Sequence, residues 1–317
     1  MICNLQTRYG IISGVSYCEY YEDNIIKECT LNTFNQIKTN YGVLTPQFDD
    51  SKDRKKFTNS ISYYKSGALK SISLNNQTYI KTSTGTFPAE LLTFYESGSI
   101  KRLFPLNGKI TGYWDENDEY NISPLLDLNL GFGKIKTKVI SIYFYESGNI
   151  KGLTLWSKDS LTVPLPFGEV SVRIGITFYE DGTVSSFEPS VPTSLNTKIG
   201  RIIAYNTLAS GINGDLNSVN INKDGTIESL MTSTNKIIGT TSKGKKLCFG
   251  PKLKPNPLIL GKSELVPLII EFNKNRVLFN NKYKYKISNC VFEVTESTLI
   301  DELVSCGKNC STCSGCH

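Results

Sequence analysis

The chain has 317 residues, a formal net charge of +6, and 39% hydrophobic against 20% charged residues, with 17 Tyr and 15 Phe but only 2 Met and 2 Trp. That balance excludes a disordered chain and favours β-structure, where aromatic and β-branched side chains fit half-buried pleated surfaces. A single histidine, His317, excludes a Ser-His-Asp or Cys-His site in the folded body, and any zinc site there that needs two imidazoles.

The first residues, MICNLQTRYG, carry no basic segment followed by an apolar one, and no later stretch approaches 18 consecutive apolar residues. A soluble, unexported, cytoplasmic protein is expected. The length suits one elongated array or two to three small domains.

From the N-terminus onward, one unit recurs six times, a strand, a turn and a strand, with turn positions at Asn24, Gly67, Gly98, Gly148, Gly182 and Gly225. Six residues before the turn stand Cys18, Ile61, Leu92, Ile142, Ile176 and Val219, and four before it Tyr20, Tyr63, Phe94, Phe144, Phe178 and Ile221. Positions two apart share a strand face, so these form one buried stripe. The residue before the turn position is Asp or Ser in every copy, types that bond back to the local backbone, and Gly or Asn follows where φ must be positive.

The return strand restarts with Ile26, Leu69, Ile100, Ile150, Val184 and Ile227, and a lysine follows at Lys27, Lys70, Lys101 and Lys151. Five after the turn stand Cys29, Ile72, Leu103, Leu153, Phe187 and Leu230, on the opposite parity, which implies either a bulge or a strand covered on both faces. A second pattern, I-K-T-x-x-G at 37–42 and 80–85, predicts further strands ending in a glycine turn.

The motif F-Y-E-S-G-x-I-K resembles the MORN-repeat variant of bacterial proteins, over roughly residues 15–230. The resemblance implies a strand-hairpin array that acts in protein or lipid association. Tyr64, Tyr95, Tyr145 and Tyr179 read as an outward aromatic ladder with Glu96, Glu146 and Glu180 beside it. The alternative is a shared binding face for a peptide, glycan or lipid headgroup. Repeated carboxylates do not make an acid/base pair, which needs two unlike environments.

The stretch 236–286 holds twelve Lys or Arg against Glu264 and Glu271. It opens with Lys243, Lys245 and Lys246 and continues through G-P-K-L-K-P-N-P, with Lys252 and Lys254, a proline density that predicts an extended link. These five lysines are the candidate partner-binding residues. The expected partner is another protein, with an anionic membrane surface as a second possibility; nucleic acid is disfavoured, because lysines outnumber arginines and no recognition motif is present. Strands are predicted at 266–272, 276–279, 283–287 and 290–294, with Asn280 and Asn281 as a turn, and an amphipathic helix over 295–304.

The chain ends with Cys306, Cys310, Cys313, Cys316 and His317, a spacing that predicts a zinc ion or an iron–sulfur cluster. Cys3, Cys18, Cys29, Cys248 and Cys290 read as core residues. The expectation is therefore an all-β fold of repeated antiparallel hairpins, an elongated sheet or stacked array, with a short C-terminal helix. Its divisions are a repeat array over 1–231, a basic link over 232–260, a small β-rich region over 261–304 and a cysteine tail over 305–317. The function expected is a non-enzymatic binding or scaffold protein with a metal-binding tail, or else an iron–sulfur or redox accessory protein that docks through its repeat body.

Overall fold

The computed structural model describes residues 3–48, 54, 59–111, 113–210 and 214–297. The fold is largely all-β and antiparallel, a repeat-like sheet with one short α-helix among the described residues, Glu116–Ile122. Two compact units are distinguished, Met1–Asp159 with Glu180–Gly182, and Ser160–Tyr179 with Thr183–His317.

In the first unit a meander runs through Gly10–Tyr20, Ile26–Leu31, Ile61–Tyr63, Leu69–Thr82, Gly85–Phe94, Ile100–Phe104, Val139–Phe144 and Ile150–Leu155, each strand antiparallel to the next. In the second, Gly168–Phe178, Val184–Pro189, Val219–Ile221, Ile227–Thr232, Leu268–Asn273, Arg276–Phe279 and Tyr283–Lys286 follow the same rule.

Each copy of the repeat is a hairpin of one design. In copy two the Gly67 amide donates to the Tyr64 carbonyl at 2.9 Å and the Tyr64 amide to the Ala68 carbonyl at 2.8 Å, while Gly67 has φ +77°. This is a type I turn closed by a left-handed residue, which explains why glycine, or Asn24 at φ +58°, holds the position. The parity question is answered by a bulge. Tyr63 pairs with Leu69 but Ser62 with Ser71, so Lys70 is left over, and the same slip occurs at Lys27, Arg102's neighbour Lys101, Lys151, Ser185 and Glu228. The bulge returns the second aliphatic position to the core face, where Cys29, Ile72, Leu103, Leu153, Phe187 and Leu230 are all buried. Each of the five aliphatic or aromatic side chains among them contributes about 1.5–3 kcal/mol by leaving water.

The bulged lysine has a task. Lys70, Lys101 and Lys151 lie 5.9, 5.6 and 5.2 Å from the ring centres of Tyr64, Tyr95 and Tyr145 in their own hairpins. The tyrosine in turn ties its hairpin to the next. The hydroxyls of Tyr21, Tyr64, Tyr95 and Tyr179 donate to the carbonyls of Tyr63, Phe94, Phe144 and Ile221 at 2.9, 2.7, 2.8 and 2.8 Å. The repeated tyrosine is thus a hydrogen-bonded ladder, and Glu96, Glu146 and Glu180 stand exposed beside it.

The T-x-x-G pattern builds a second set of turns, found at 7–10, 39–42, 82–85 and 197–200. In each, the threonine hydroxyl donates to the glycine carbonyl, at 2.8, 2.9, 2.9 and 2.7 Å. Two of these turns carry tyrosines that seat on the main hairpins: the Leu69 amide donates to the Tyr9 hydroxyl at 2.9 Å and the Ile100 amide to the Tyr41 hydroxyl at 3.0 Å.

Two expectations need correcting. The only α-helix among the described residues is at Glu116–Ile122, where Asp115 and Asp118 form a reciprocal capping box. Thr295 and Glu296, expected to open a C-terminal helix, end the strand Cys290–Glu296, because both are held in register with Asn235 and Lys236; residues 298–304 lie outside the described residues. The segment expected as a proline-rich link instead forms strands Lys246–Phe249 and Lys252–Pro255, the prolines falling at strand ends and in the connecting loop. The strands at Arg276–Phe279 and Tyr283–Lys286 and the turn between them are as expected, Asn280 and Asn281 taking φ +50° and +56°.

Candidate functional site

The candidate lysines divide between two hairpins. Lys243, Lys245 and Lys246 surround the turn that joins Asn235–Thr241 to Lys246–Phe249, closed by a 2.8 Å bond from the Gly244 amide to the Thr241 carbonyl. Lys252 and Lys254 lie on Lys252–Pro255, a strand exposed along its whole length, paired with Ser263–Val266 in the register Lys252↔Val266 and Lys254↔Glu264. None of the five is in an ion pair among the described residues.

The loop closing this second hairpin is the feature that sequence reading missed. Asn256 organises it. Its side-chain oxygen accepts from the Leu258 and Ile259 amides at 2.8 and 2.9 Å, and its own amide donates to the Lys262 carbonyl at 2.8 Å. Gly261, at φ +78°, turns the chain back. With the backbone so fixed, Leu258 and Leu260 are 90% and 103% exposed and Ile259 is 47% exposed, three consecutive aliphatic residues at the tip of a hairpin that carries Lys254 and Lys262 next to the loop and Lys252 further down its strand. The signal was present in the sequence as P-L-I-L-G between turn formers.

The aromatic residues of the basic segment are engaged with one another. Phe249 stacks on Phe279 at 4.2 Å between centroids and lies 5.5 and 5.9 Å from Tyr283 and Tyr285, while Phe272 and Phe279 are buried. Tyr283–Lys286 pairs with Arg276–Phe279, so Lys284 and Lys286 decorate a strand with one described partner, a pattern that discourages strand addition.

Two buried charged groups were not anticipated. Arg54 donates to both oxygens of Glu119 at 2.9 and 3.0 Å and to Glu90; Glu90 also accepts from the Asn107 amide at 2.7 Å, and Glu119 from the Trp114 indole at 2.8 Å. Glu90 and Glu119 are 4% and 3% exposed, and every carboxylate oxygen has a donor, which marks a structural clasp. In the second unit Glu188 is 1% exposed and accepts from the Ser218 amide at 2.8 Å, with Arg173 3.9 Å away. Burial raises its pKa against the opposing effect of Ser218 and Arg173. Neither carboxylate group offers a catalytic pair open to solvent.

The expected zinc or iron–sulfur centre, and with it the redox reading, is withdrawn. Among the described residues no group of three or more His, Cys, Asp or Glu side chains could hold a metal ion: Cys18 and Cys29 are cross-strand partners, but Cys248 and Cys290 lie on other strands, and all four are free thiols. Cys306, Cys310, Cys313, Cys316 and His317 lie outside the described residues. The core reading of the other cysteines holds for Cys29, which is fully buried; Cys248 is exposed because the strand turns Leu247 inward instead.

Burial pushes the Cys29 thiol up from 9.0 to about 12. The unfolded chain therefore loses this proton at lower pH than the folded chain, and stability is expected to fall between pH about 9 and about 12, by roughly 1.4 kcal/mol per pH unit from this group. Urea titrations over that range check it: Cys29→Val should show a shallower alkaline loss than the wild type, and equal slopes would contradict the assignment.

No family model, no curated protein and no solved structure matches this chain. No helix among the described residues is long and apolar enough to cross a membrane.

Proposed function

We propose that this protein is a non-enzymatic β-repeat scaffold of the cytoplasm that attaches peripherally to anionic membrane surfaces through the hairpin 252–266. The observation that carries the reading is the hydrogen-bonded loop presenting Leu258, Ile259 and Leu260 to solvent on a hairpin that carries Lys254 and Lys262 next to the loop and Lys252 further down its strand. Aliphatic side chains held in water gain about 1.5–3 kcal/mol each on burial, and each lysine near an anionic leaflet adds about 1 kcal/mol. The two contributions act at the same place, which suits a tip that enters the headgroup layer while its collar meets lipid phosphates. The resemblance of the hairpin motif to a repeat class associated with lipids and proteins points the same way.

Co-sedimentation with phosphatidylserine/phosphatidylcholine vesicles tests it. Binding is expected to fall more than tenfold in Leu258→Glu/Leu260→Glu, to fall in Lys252→Glu/Lys254→Glu, and to weaken with added salt or with phosphatidylcholine alone. Equal binding by wild type and the leucine double variant would sink the proposal.

A further inference from the structure

We propose that a groove in the second unit, at the place where the tyrosine ladder stops, binds the tyrosyl side chain of a partner peptide. The groove is about 910 Å³ and lies between the copy-six turn, with Asn222, Lys223, Asp224 and Glu228, and the strand end at Phe272–Lys274. Its size is that of a ligand site. Lys198, whose ammonium donates to the Lys274 carbonyl at 2.9 Å, closes one side.

The occupant is argued from what fills the same place elsewhere in this chain. In the preceding junction Ser186 pairs with Asn220, and the Tyr179 hydroxyl donates to the carbonyl of the next residue, Ile221, at 2.8 Å. In the last junction Ser229 pairs with Glu271, so the equivalent carbonyl belongs to Phe272, a residue of the groove wall. The position of the tyrosine, three before the turn glycine, is Asn222. Its side chain is too short to cross, and it donates to the Thr226 hydroxyl at 3.0 Å within its own turn. The bulged lysine that overlies the ring in copies two to four is replaced here by Glu228. Copy six thus lacks both members of the Tyr–Lys pair, while the Phe272 strand is in the register that receives a phenol.

A tyrosyl group from outside supplies the missing ring and hydroxyl. The groove is lined by three carboxylates, Asp224, Glu228 and Glu271, and three lysines, Lys198, Lys223 and Lys274, a balanced set that suits the flanking backbone and charges of a peptide better than a free anion.

The test is an NMR titration of the full chain with the peptide Ac-Gly-Tyr-Lys-Gly-NH2 and its phenylalanine counterpart. Saturable shifts confined to residues 198, 220–229 and 271–274 are expected, with the phenylalanine peptide about threefold to tenfold weaker for want of one hydrogen bond. Asn222→Tyr/Glu228→Lys rebuilds the ladder in cis. It should abolish peptide binding and raise the melting temperature. No saturable shift in the wild type, equal binding of the two peptides, or undiminished binding by the double variant would each overturn the proposal. The wild-type titration decides without the variant. Leu258→Glu/Leu260→Glu should leave the titration unchanged, which separates this site from the membrane-binding hairpin.

Discussion

Replacing Arg54 by alanine is expected to cost about 3–5 kcal/mol of folding free energy, the range for removing one partner from a buried ionic cluster. Its guanidinium serves two carboxylates at once, those of Glu90 and Glu119, and both are almost wholly removed from water. Alanine leaves two buried negative charges with only the Asn107 amide and the Trp114 indole as donors. The loss should be larger than for Lys27→Ala, which breaks an exposed pair with Glu19 at 3.0 Å, where solvent screens the attraction. Substituting all three together, Arg54→Met with Glu90→Gln and Glu119→Gln, should recover part of the loss. Chemical denaturation of the three proteins measures this; an Arg54→Ala loss below that of Lys27→Ala would show that the clasp carries little.

Gly175→Ala is expected to destabilise by about 1–3 kcal/mol, the cost of forcing an atom into an already packed site. An added Cβ would lie 2.1 Å from the Gly214 carbonyl oxygen, so backbone has to move. The preceding residue sharpens the point. Ile174 holds φ +61°, rare for a β-branched residue, because Ile174 and Gly175 bulge out between the pairs Arg173↔Glu188 and Ile176↔Phe187. The bulge keeps the Ile174 side chain in the core, and burial offsets torsional strain. Thermal unfolding should place Gly175→Ala below Gly67→Ala, whose added methyl meets nothing within 4 Å and suffers only from φ +77°. The reverse order would mean that the Gly214 backbone yields easily.

What was legible beforehand was whatever depends on neighbours in sequence. The stripe at Ile61 and Tyr63, the turn glycines and the threonine turns all follow from residues within a few positions of one another, and all are found. The bulge was visible only as a change of parity, since a slip of one residue and a doubly covered strand leave the same pattern. The role of the tyrosines was misjudged by one step: their acceptors, such as Phe144 for Tyr95, lie 49 residues away and are backbone carbonyls, which have no signature in side-chain identity. The clasp was illegible for the same reason, joining positions 54, 90 and 119 that nothing links along the chain. In the basic segment the lysines drew notice and the leucines did not, because prolines on both sides disguised a closed hairpin as an open link.

The ladder also bears on how such a chain can change length. The atom each tyrosine grips is a main-chain carbonyl, offered equally well by Tyr63, Phe94, Phe144 and Ile221. A hairpin therefore asks nothing of its successor's side chain at that position, only of its register. Hairpins are interchangeable at that bond, so a duplicated copy could be spliced in with any connecting segment that restores the register. The connections between copies are accordingly free to differ, and they do: 28 residues separate Leu31 from Ser60, while the strand Leu69–Thr82 reaches Gly85–Phe94 through a two-residue turn.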